Sequence, residues 1–407
     1  MKFLTMDDVD FKAKTTLVRV DFNSPIDPDT KKILDDTRIR AHAQATIKEL
    51  SEKGAKTVIL AHQGRPGDPD FIPMKQHAEK LSEILGKPVK YVDDLIGNKA
   101  QEAIKKLKNG EVLVLENVRT YPDEQKKGTP ADHAKTDLVK KLAPLANIFV
   151  NDAFSAAHRA HISIVGFTAV LPSVAGRIME RELKALSRVL EKPEKPCVFI
   201  LGGAKADDSL KISSYVLSNR IADSVLTGGI TGHLFLAAKG HDLGKPNTEL
   251  LEKQQVLNLV PGIGELMDTY PEGVKVPIDL AMEVNGKRKE ISVDDLPSDH
   301  PIVDIGAKTI REYGRIIGRA KSIVVSGPVG VYERAEFLKG TKEILNAIAD
   351  SKAFSLVGGG HTVAAVEELR LHDKMGYVST AGGALIEFLM GEKLPGVVAL
   401  EEAAARK

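Results

Sequence analysis

Cysteine occurs once in the 407 residues and tryptophan not at all. A single thiol, Cys197, can close no intramolecular disulfide, and with Val198-Phe199-Ile200 behind it the residue reads as a small buried strand side chain rather than a nucleophile. An excess of either charge is also missing, since 57 basic residues face 56 acidic ones for a formal net charge of +1. That balance excludes the broad basic surface that binds nucleic acid or an anionic membrane. No run of about 18 apolar residues occurs, and Met1 to Thr5 leads into Asp7-Asp8 without an apolar signal core. A soluble cytoplasmic chain without a membrane or nucleic-acid partner is expected. Neither Gly-x-x-x-x-Gly-Lys-[Ser/Thr] nor Gly-x-Gly-x-x-Gly occurs. Their absence sets aside a P-loop kinase, a protein-kinase fold and a dinucleotide-dependent dehydrogenase.

What is present is the rhythm of an α/β chain. Leu17-Val18-Arg19-Val20, Thr57 to Ala61, Val112 to Leu115 and Ile148-Phe149-Val150 read as strands, with helices over 38–53 and 74–85 between them. Apolar strands alternating with amphipathic helices predict a parallel sheet covered on both faces. Gly176 to Leu190 has helical apolar spacing and ends in Glu191-Lys192-Pro193-Glu194-Lys195-Pro196, a break suited to a domain junction. Beyond it the alternation restarts, with strands at 198–201, 224–226, 323–325 and 354–357 and a helix from about Ser209. Leu280 to Ser292, centred on Asn285-Gly286, predicts a β-hairpin. The expected architecture is two Rossmann-like, three-layer parallel-sheet domains joined by a hinge helix. Their bounds are placed at 1–173, 174–190 for the helix and 191–389, with a tail from about 390 packing back on the first domain.

In open parallel sheets, ligands bind beyond the carboxyl ends of the strands. Five polar clusters stand there in the first half: Asp21-Phe22-Asn23, Asp36-Thr37-Arg38, His62-Gln63-Gly64-Arg65-Pro66, Glu116-Asn117-Val118-Arg119 and His158-Arg159-Ala160-His161. The arginine fork accepts phosphate or carboxylate oxygens in pairs, so their recurrence predicts one pocket for a small phosphorylated acid. His62, His158 and His161 lack zinc spacing and companion cysteines; His62 is placed in the pocket, and His161 is read as a hydrogen-bonding strand-end residue.

The second half carries glycine-rich loops instead: Gly202-Gly203-Ala204-Lys205, Gly228-Gly229, Gly327-Pro328-Val329-Gly330, Gly358-Gly359-Gly360-His361-Thr362 and Ala381-Gly382-Gly383-Ala384. Glycine lets backbone amides approach a phosphate, and Lys205 adds a mobile positive charge. One such loop only permits a tight turn, whereas several on one sheet point to a nucleotide crevice.

These motifs, in this order along the chain from about residue 17 to 400, resemble phosphoglycerate kinase. The resemblance implies an ATP:3-phosphoglycerate phosphotransferase of glycolysis and gluconeogenesis, with Mg²⁺ accompanying ATP or ADP and a hinge closing two domains. A monomer is expected, and a non-catalytic nucleotide-binding protein on the same scaffold is the alternative. Carried over by position, Asp21, Asn23, Arg38, His62, Gln63, Gly64, Arg65, Arg119 and Arg159 bind the acid, with Arg38 and Lys205 meeting the transferring phosphoryl group. Gly202, Gly203, Lys205, Lys211, Gly228, Gly327, Pro328, Glu333, Gly358, Gly359, Gly360, His361 and Thr362 bind the nucleotide, Glu333 through the ribose hydroxyls. Three positions depart from the family pattern, all on the nucleotide side. His361 stands where the metal-side aspartate is usual, and imidazole is a poor ligand for Mg²⁺. Ser209 replaces a second lysine, for which Lys211 is the substitute, and Val325-Ser326 replaces Trp-Asn. The metal ligands are not identified by the sequence.

Overall fold

The computed structural model describes residues 1–406. Its contacts divide the chain into two compact units, residues 1–184 with the stretch from Lys393 onward, and residues 185–392.

Six parallel strands form the sheet of the first unit: β1 (Thr15–Arg19), β2 (Lys56–Leu60), β3 (Val89–Tyr91), β4 (Val112–Val114), β5 (Ile148–Asn151) and β6 (Ser173–Ala175). Their order is β3-β4-β2-β1-β5-β6. Successive side chains of a strand point to opposite faces. Leu17, Val58, Leu60 and Phe149 therefore enter one core, and Val18, Ile59, Val112 and Val150 the other. Burial on both faces is why these strands read as continuous apolar runs. The winding reverses at β1, with β2 on one side and β5 on the other, so the chain leaving β1 and β5 opens a crevice at the carboxyl edge. The helix expected over 38–53 forms in three joined pieces: Thr37–His42, a π turn at Ala43–Ile47, and Lys48–Glu52.

Helix Arg177–Leu190 carries the chain from the first unit, which it leaves after Lys184, into the second. There β7 (Cys197–Leu201), β8 (Ser224–Thr227), β9 (Val274–Lys275), β13 (Ser322–Ser326), β14 (Phe354–Gly358) and β15 (Tyr377–Val378) form a second parallel sheet. Its order, β15-β14-β13-β7-β8-β9, reverses between β7 and β13. A separate antiparallel sheet holds the predicted hairpin, β10 (Asp279–Val284) and β11 (Lys287–Ser292), with β12 (Ile302–Ile305) on the other side of β10. Asn285 and Gly286 take φ of 52° and 73°, the pair of positive angles a tight hairpin turn requires. Helix Pro395–Ala405 returns to the first unit, where the Gly396 N–H bonds the Ala157 carbonyl at 2.8 Å and Ala399 joins Ala153, Ala156, Ile164 and Val165 in a small buried cluster. No helix among the described residues is long and apolar enough to cross a membrane.

Candidate functional site

In the first unit the chain leaving β1, β2, β4 and β5 brings the expected basic residues to one edge. Arg38 Nη1 donates to Asp21 Oδ2 at 2.5 Å, the Ser155 hydroxyl donates to the same oxygen, and the Asn23 N–H donates to Oδ1 at 3.0 Å. Burial alone would raise the Asp21 carboxyl; the neighbouring Arg38, with the Ser155 and Asn23 hydrogen bonds, pulls it well below the usual range. His62 itself is pushed far below its ordinary value by burial and by Arg19, so the ring is neutral and Arg38 is the cation that keeps Asp21 ionised. Asn23 Oδ1 accepts the Gly64 N–H at 2.9 Å. Gly64 sits at φ +62°, with Asp70 only 2.6 Å from where a Cβ would be, so the turn admits no side chain.

The arginines stand close enough to repel. Arg119, whose guanidinium donates to the Gly64 carbonyl, is pushed down to about 10 by burial and then by Arg159, Arg19 and Arg65. His161 is driven down to about 3 by burial and then by Arg159, Arg19 and Arg119. Arg19 and Arg119 are buried, Arg159 is half-buried and Arg65 exposed, and like charges held this close are costly unless an anion joins them.

Two members of this site escaped the sequence reading. Arg19, 2% exposed, donates from Nε to Ser163 Oγ at 2.8 Å and lies 3.1 Å from His62 Nδ1 through Nη2. A guanidinium only donates, so His62 Nδ1 accepts and its proton is on Nε2. Glu124, 1% exposed, accepts from the Ser163 N–H at 2.9 Å and the Ser163 hydroxyl at 2.5 Å. Burial pushes its carboxyl up to about 7 against the pull of Arg19. Arg19 ends β1 as the one charge in the apolar run Leu17-Val18-Arg19-Val20, whereas nothing in the sequence signalled Glu124. The amide of Gln63 is fully buried and bonded to Ser24, the Asp70 carbonyl and His77, so it holds the loop together.

In the second unit the loops after β7 and β13 meet at the switch in strand order. The Gly202 N–H bonds the Ser326 carbonyl at 2.9 Å and the Gly203 N–H bonds the Pro328 carbonyl at 2.7 Å. A Cβ on Gly327, at φ +89°, would lie 2.2 Å from the Gly202 oxygen. The glycines thus serve backbone contact first. Around them is a cavity of about 370 Å³ lined by Gly202, Gly203, Lys205, Asp208, Gly327, Pro328, Gly359, Gly360, His361 and Thr362. Helix Gly360–Glu368 begins at this wall without a side-chain cap, leaving amide donors for an anion. Thr362 Oγ1 accepts the Gly327 N–H at 2.7 Å, tying the two loops. A second cavity of about 360 Å³ shares Gly203, Ala204, Pro328 and His361 with the first and is walled by Ile230, Leu250, Pro277, Leu280, Ile302 and Val331, with Gly229 and Glu333 also on its lining. Gly228 lies against Val329, and Gly358 against Leu385, so both are backbone supports.

Lys211 is not brought to these cavities. It pairs with Asp207 at 2.6 Å and lines a separate depression with Tyr215 and Glu265, because it lies round the helix Ala206–Ser218 from Asp208 and Ser209. Ser209, at the lysine position, bonds the Lys205 carbonyl and Thr231 inside the fold. His361 is exposed, with Nδ1 3.2 Å from the Tyr332 hydroxyl and 3.9 Å from Glu333. Among the described residues no group of three or more His, Cys, Asp or Glu side chains is disposed to hold a metal ion. Asp208 is the carboxylate on the wall of the glycine-lined cavity.

The family model "Phosphoglycerate kinase" matches residues 6–392. Phosphoglycerate kinases of Methanothermobacter thermautotrophicus and Methanococcus maripaludis are 49% and 50% identical, over 98% and 97% of this chain and 97% and 96% of theirs. The crystal structure of phosphoglycerate kinase from Pyrococcus horikoshii superposes with a TM-score of 0.88 at 41% identity, covering 99% of this chain and all of that one. That from Coxiella burnetii gives 0.86 at 33% identity, over 99% and 100%. On this agreement along its whole length, the chain belongs to the phosphoglycerate kinase family and is an enzyme of that type.

Proposed function

We propose that the arginine-rich edge of the first unit binds 3-phosphoglycerate and the glycine-lined cavity of the second binds ATP or ADP. The reaction moves the γ-phosphoryl group of ATP to the carboxylate of 3-phosphoglycerate, reversibly. The crowding of Arg19, Arg65, Arg119 and Arg159 carries this reading, because a bound phosphate relieves the repulsion they impose on one another. Asp21 and Asn23 orient the hydroxyl and hold Arg38. In the second unit, Lys205 and the open amides of helix Gly360–Glu368 take the phosphates, while the apolar cavity takes the base with Glu333 at the ribose.

The acceptor carboxylate is already ionised, so no general base is required. One of its oxygens forms the new bond to phosphorus as the bond to the ADP oxygen breaks, and the protein's task is alignment and charge neutralisation. Arg38 and Lys205 are assigned to the charge on the transferring oxygens, with helix Arg177–Leu190 as the hinge. Asp208, the carboxylate on the wall of the glycine-lined cavity, would hold Mg²⁺ beside the phosphates, and His361 is left to donate to phosphate instead. The metal neutralises phosphate charge when bound. One chain carries both sets of loops, and a glycolytic role places it in the cytoplasm. None of the relatives supports a non-catalytic binding protein.

ATP consumption with 3-phosphoglycerate and Mg²⁺, coupled to reduction of the acyl phosphate, tests the reading. Arg38→Ala and Lys205→Ala lower kcat at least about 100-fold with much smaller changes in KM, as expected for contacts made mainly in the transition state. Near-normal kcat in either variant removes the role given to that residue.

A further inference from the structure

We infer that His42 and Asp152 form a buried positioning pair that couples occupancy of the acid site at Asp21 to the first turn of helix Arg177–Leu190. The inference rests on the reading of Asp21 as an acid-binding residue. His42 is 5% exposed and Asp152 wholly buried. His42 Nε2 accepts the backbone N–H of Asp21 at 3.2 Å, which fixes the ring proton on Nδ1, and Nδ1 donates to Asp152 Oδ2 at 2.6 Å. The other carboxylate oxygen, Oδ1, accepts the backbone N–H groups of Ile178 at 2.8 Å and Met179 at 3.3 Å. Those are two of the donors that the start of a helix leaves without partners.

Asp152 has little room to do anything else. Its own N–H bonds the Arg19 carbonyl at 2.8 Å, and a Cβ on Gly176 would lie 2.3 Å from its Oδ1. His42 is the last residue before the π turn Ala43–Ile47, a feature that resets which face the following side chains take and recurs at functional positions. At the far end, the Asp21 carboxylate is held by Arg38, Ser155 and the Asn23 N–H. A ligand that draws Arg38 away moves Asp21. The imidazole, with one bond accepted and one donated, cannot tilt without losing one of them, so the displacement passes to the carboxylate and to the helix amides it holds.

Side-chain amides divide the relay. His42→Asn keeps a group near the Nδ1 position and loses the acceptor for Asp21, whereas His42→Gln keeps an acceptor near the Nε2 position and loses the Asp152 contact. Asp152→Asn can present oxygen to the helix, but its amide group then forces the ring proton onto Nε2, against the Asp21 N–H. In the full-length chain, each variant is expected to raise KM for 3-phosphoglycerate about tenfold, the worth of one such hydrogen bond. The values of kcat and KM for ATP change less than about twofold on the same reasoning. Saturating 3-phosphoglycerate slows amide exchange at Ile178 and Met179 in the parent chain, and the variants lose that response. Persistence of the response in all three, or its absence in the parent, overturns the inference. Should a variant fail to fold, the His42 Nδ1–H resonance of the parent must shift on adding 3-phosphoglycerate, and an unmoved resonance is equally fatal. Asp21→Asn separates the two levels. If it leaves KM for 3-phosphoglycerate unchanged, the acid-site reading fails; if it raises KM while the His42 variants behave like the parent, only the relay fails.

Discussion

Replacing Glu124 by Gln removes a single titration whose size the structure defines. The Glu124 carboxyl is 1% exposed and burial raises it from its ordinary 4.5 to about 7. A folded-state value above the unfolded one means the folded chain binds more protons between those limits, so stability falls as pH rises through the window and the loss is complete above about pH 7. At about 1.36 kcal/mol per pH unit the full loss is about 3 kcal/mol. Glutamine keeps an oxygen for the Ser163 donors and never ionises. The parent and Glu124→Gln should therefore have similar stability near pH 4, and the variant should lead by about 3 kcal/mol at pH 8. For a unit of roughly 200 residues that is a Tm gap of about 6–12 °C. Calorimetry at both pH values, with hydrogen-exchange protection of β1 identifying the transition of the first unit, measures it. A gap that does not change with pH, or a parent that gains on the variant as pH rises, refutes the argument. The carboxyl, only partly ionised at neutral pH, lies beside the buried Arg19, and Glu124→Gln should weaken 3-phosphoglycerate affinity by disturbing the guanidinium that faces His62.

Two further substitutions test the nucleotide side. Lys211→Ala should leave KM for ATP within about twofold, since an exposed pair with Asp207 contributes only about 0.2–1 kcal/mol and lies off the glycine-lined cavity; a tenfold rise would return Lys211 to the site. Gly327→Ala sets a methyl group 2.2 Å from the Gly202 carbonyl at φ +89°, so the two loops must part, and nucleotide affinity measured by calorimetric titration should fall by more than about tenfold while 3-phosphoglycerate affinity holds. Unchanged nucleotide affinity would show that the contact between the loops is not what shapes the cavity.

Most of the sheet was legible because its central strands are buried on both faces, so Leu17-Val18, Val58-Ile59-Leu60 and Phe199-Ile200 read as apolar runs. Strands of two or three residues, such as β3, β9 and β15, have no periodicity to read and exist through pairing with a neighbour. The helix expected from Ser209 begins at Ala206, because Asp207 and Asp208 favour a first turn, where carboxylates meet the positive end of the dipole. At the acid site, strand-end arginines could be found from position alone. Side-chain direction could not: the Gln63 amide turns to Ser24, Asp70 and His77, and Lys211 lines a separate depression. Arg19, at the end of β1, reads as one more strand residue, and Glu124 is joined to it by hydrogen bonds through Ser163, far along the chain.

Helix Pro395–Ala405 seals the unit whose strands come first along the chain, with Leu400 fully buried and Ala399 packed on Ala153 and Ile164. During synthesis the first sheet can assemble long before this helix exists, but its surface around Ala156 and Val165 stays uncovered until all of residues 185–392 have been made. The unit that starts folding first is the one finished last, so a ribosome stalled within the second unit would display the first with an open apolar seam, the kind of surface a holding chaperone recognises.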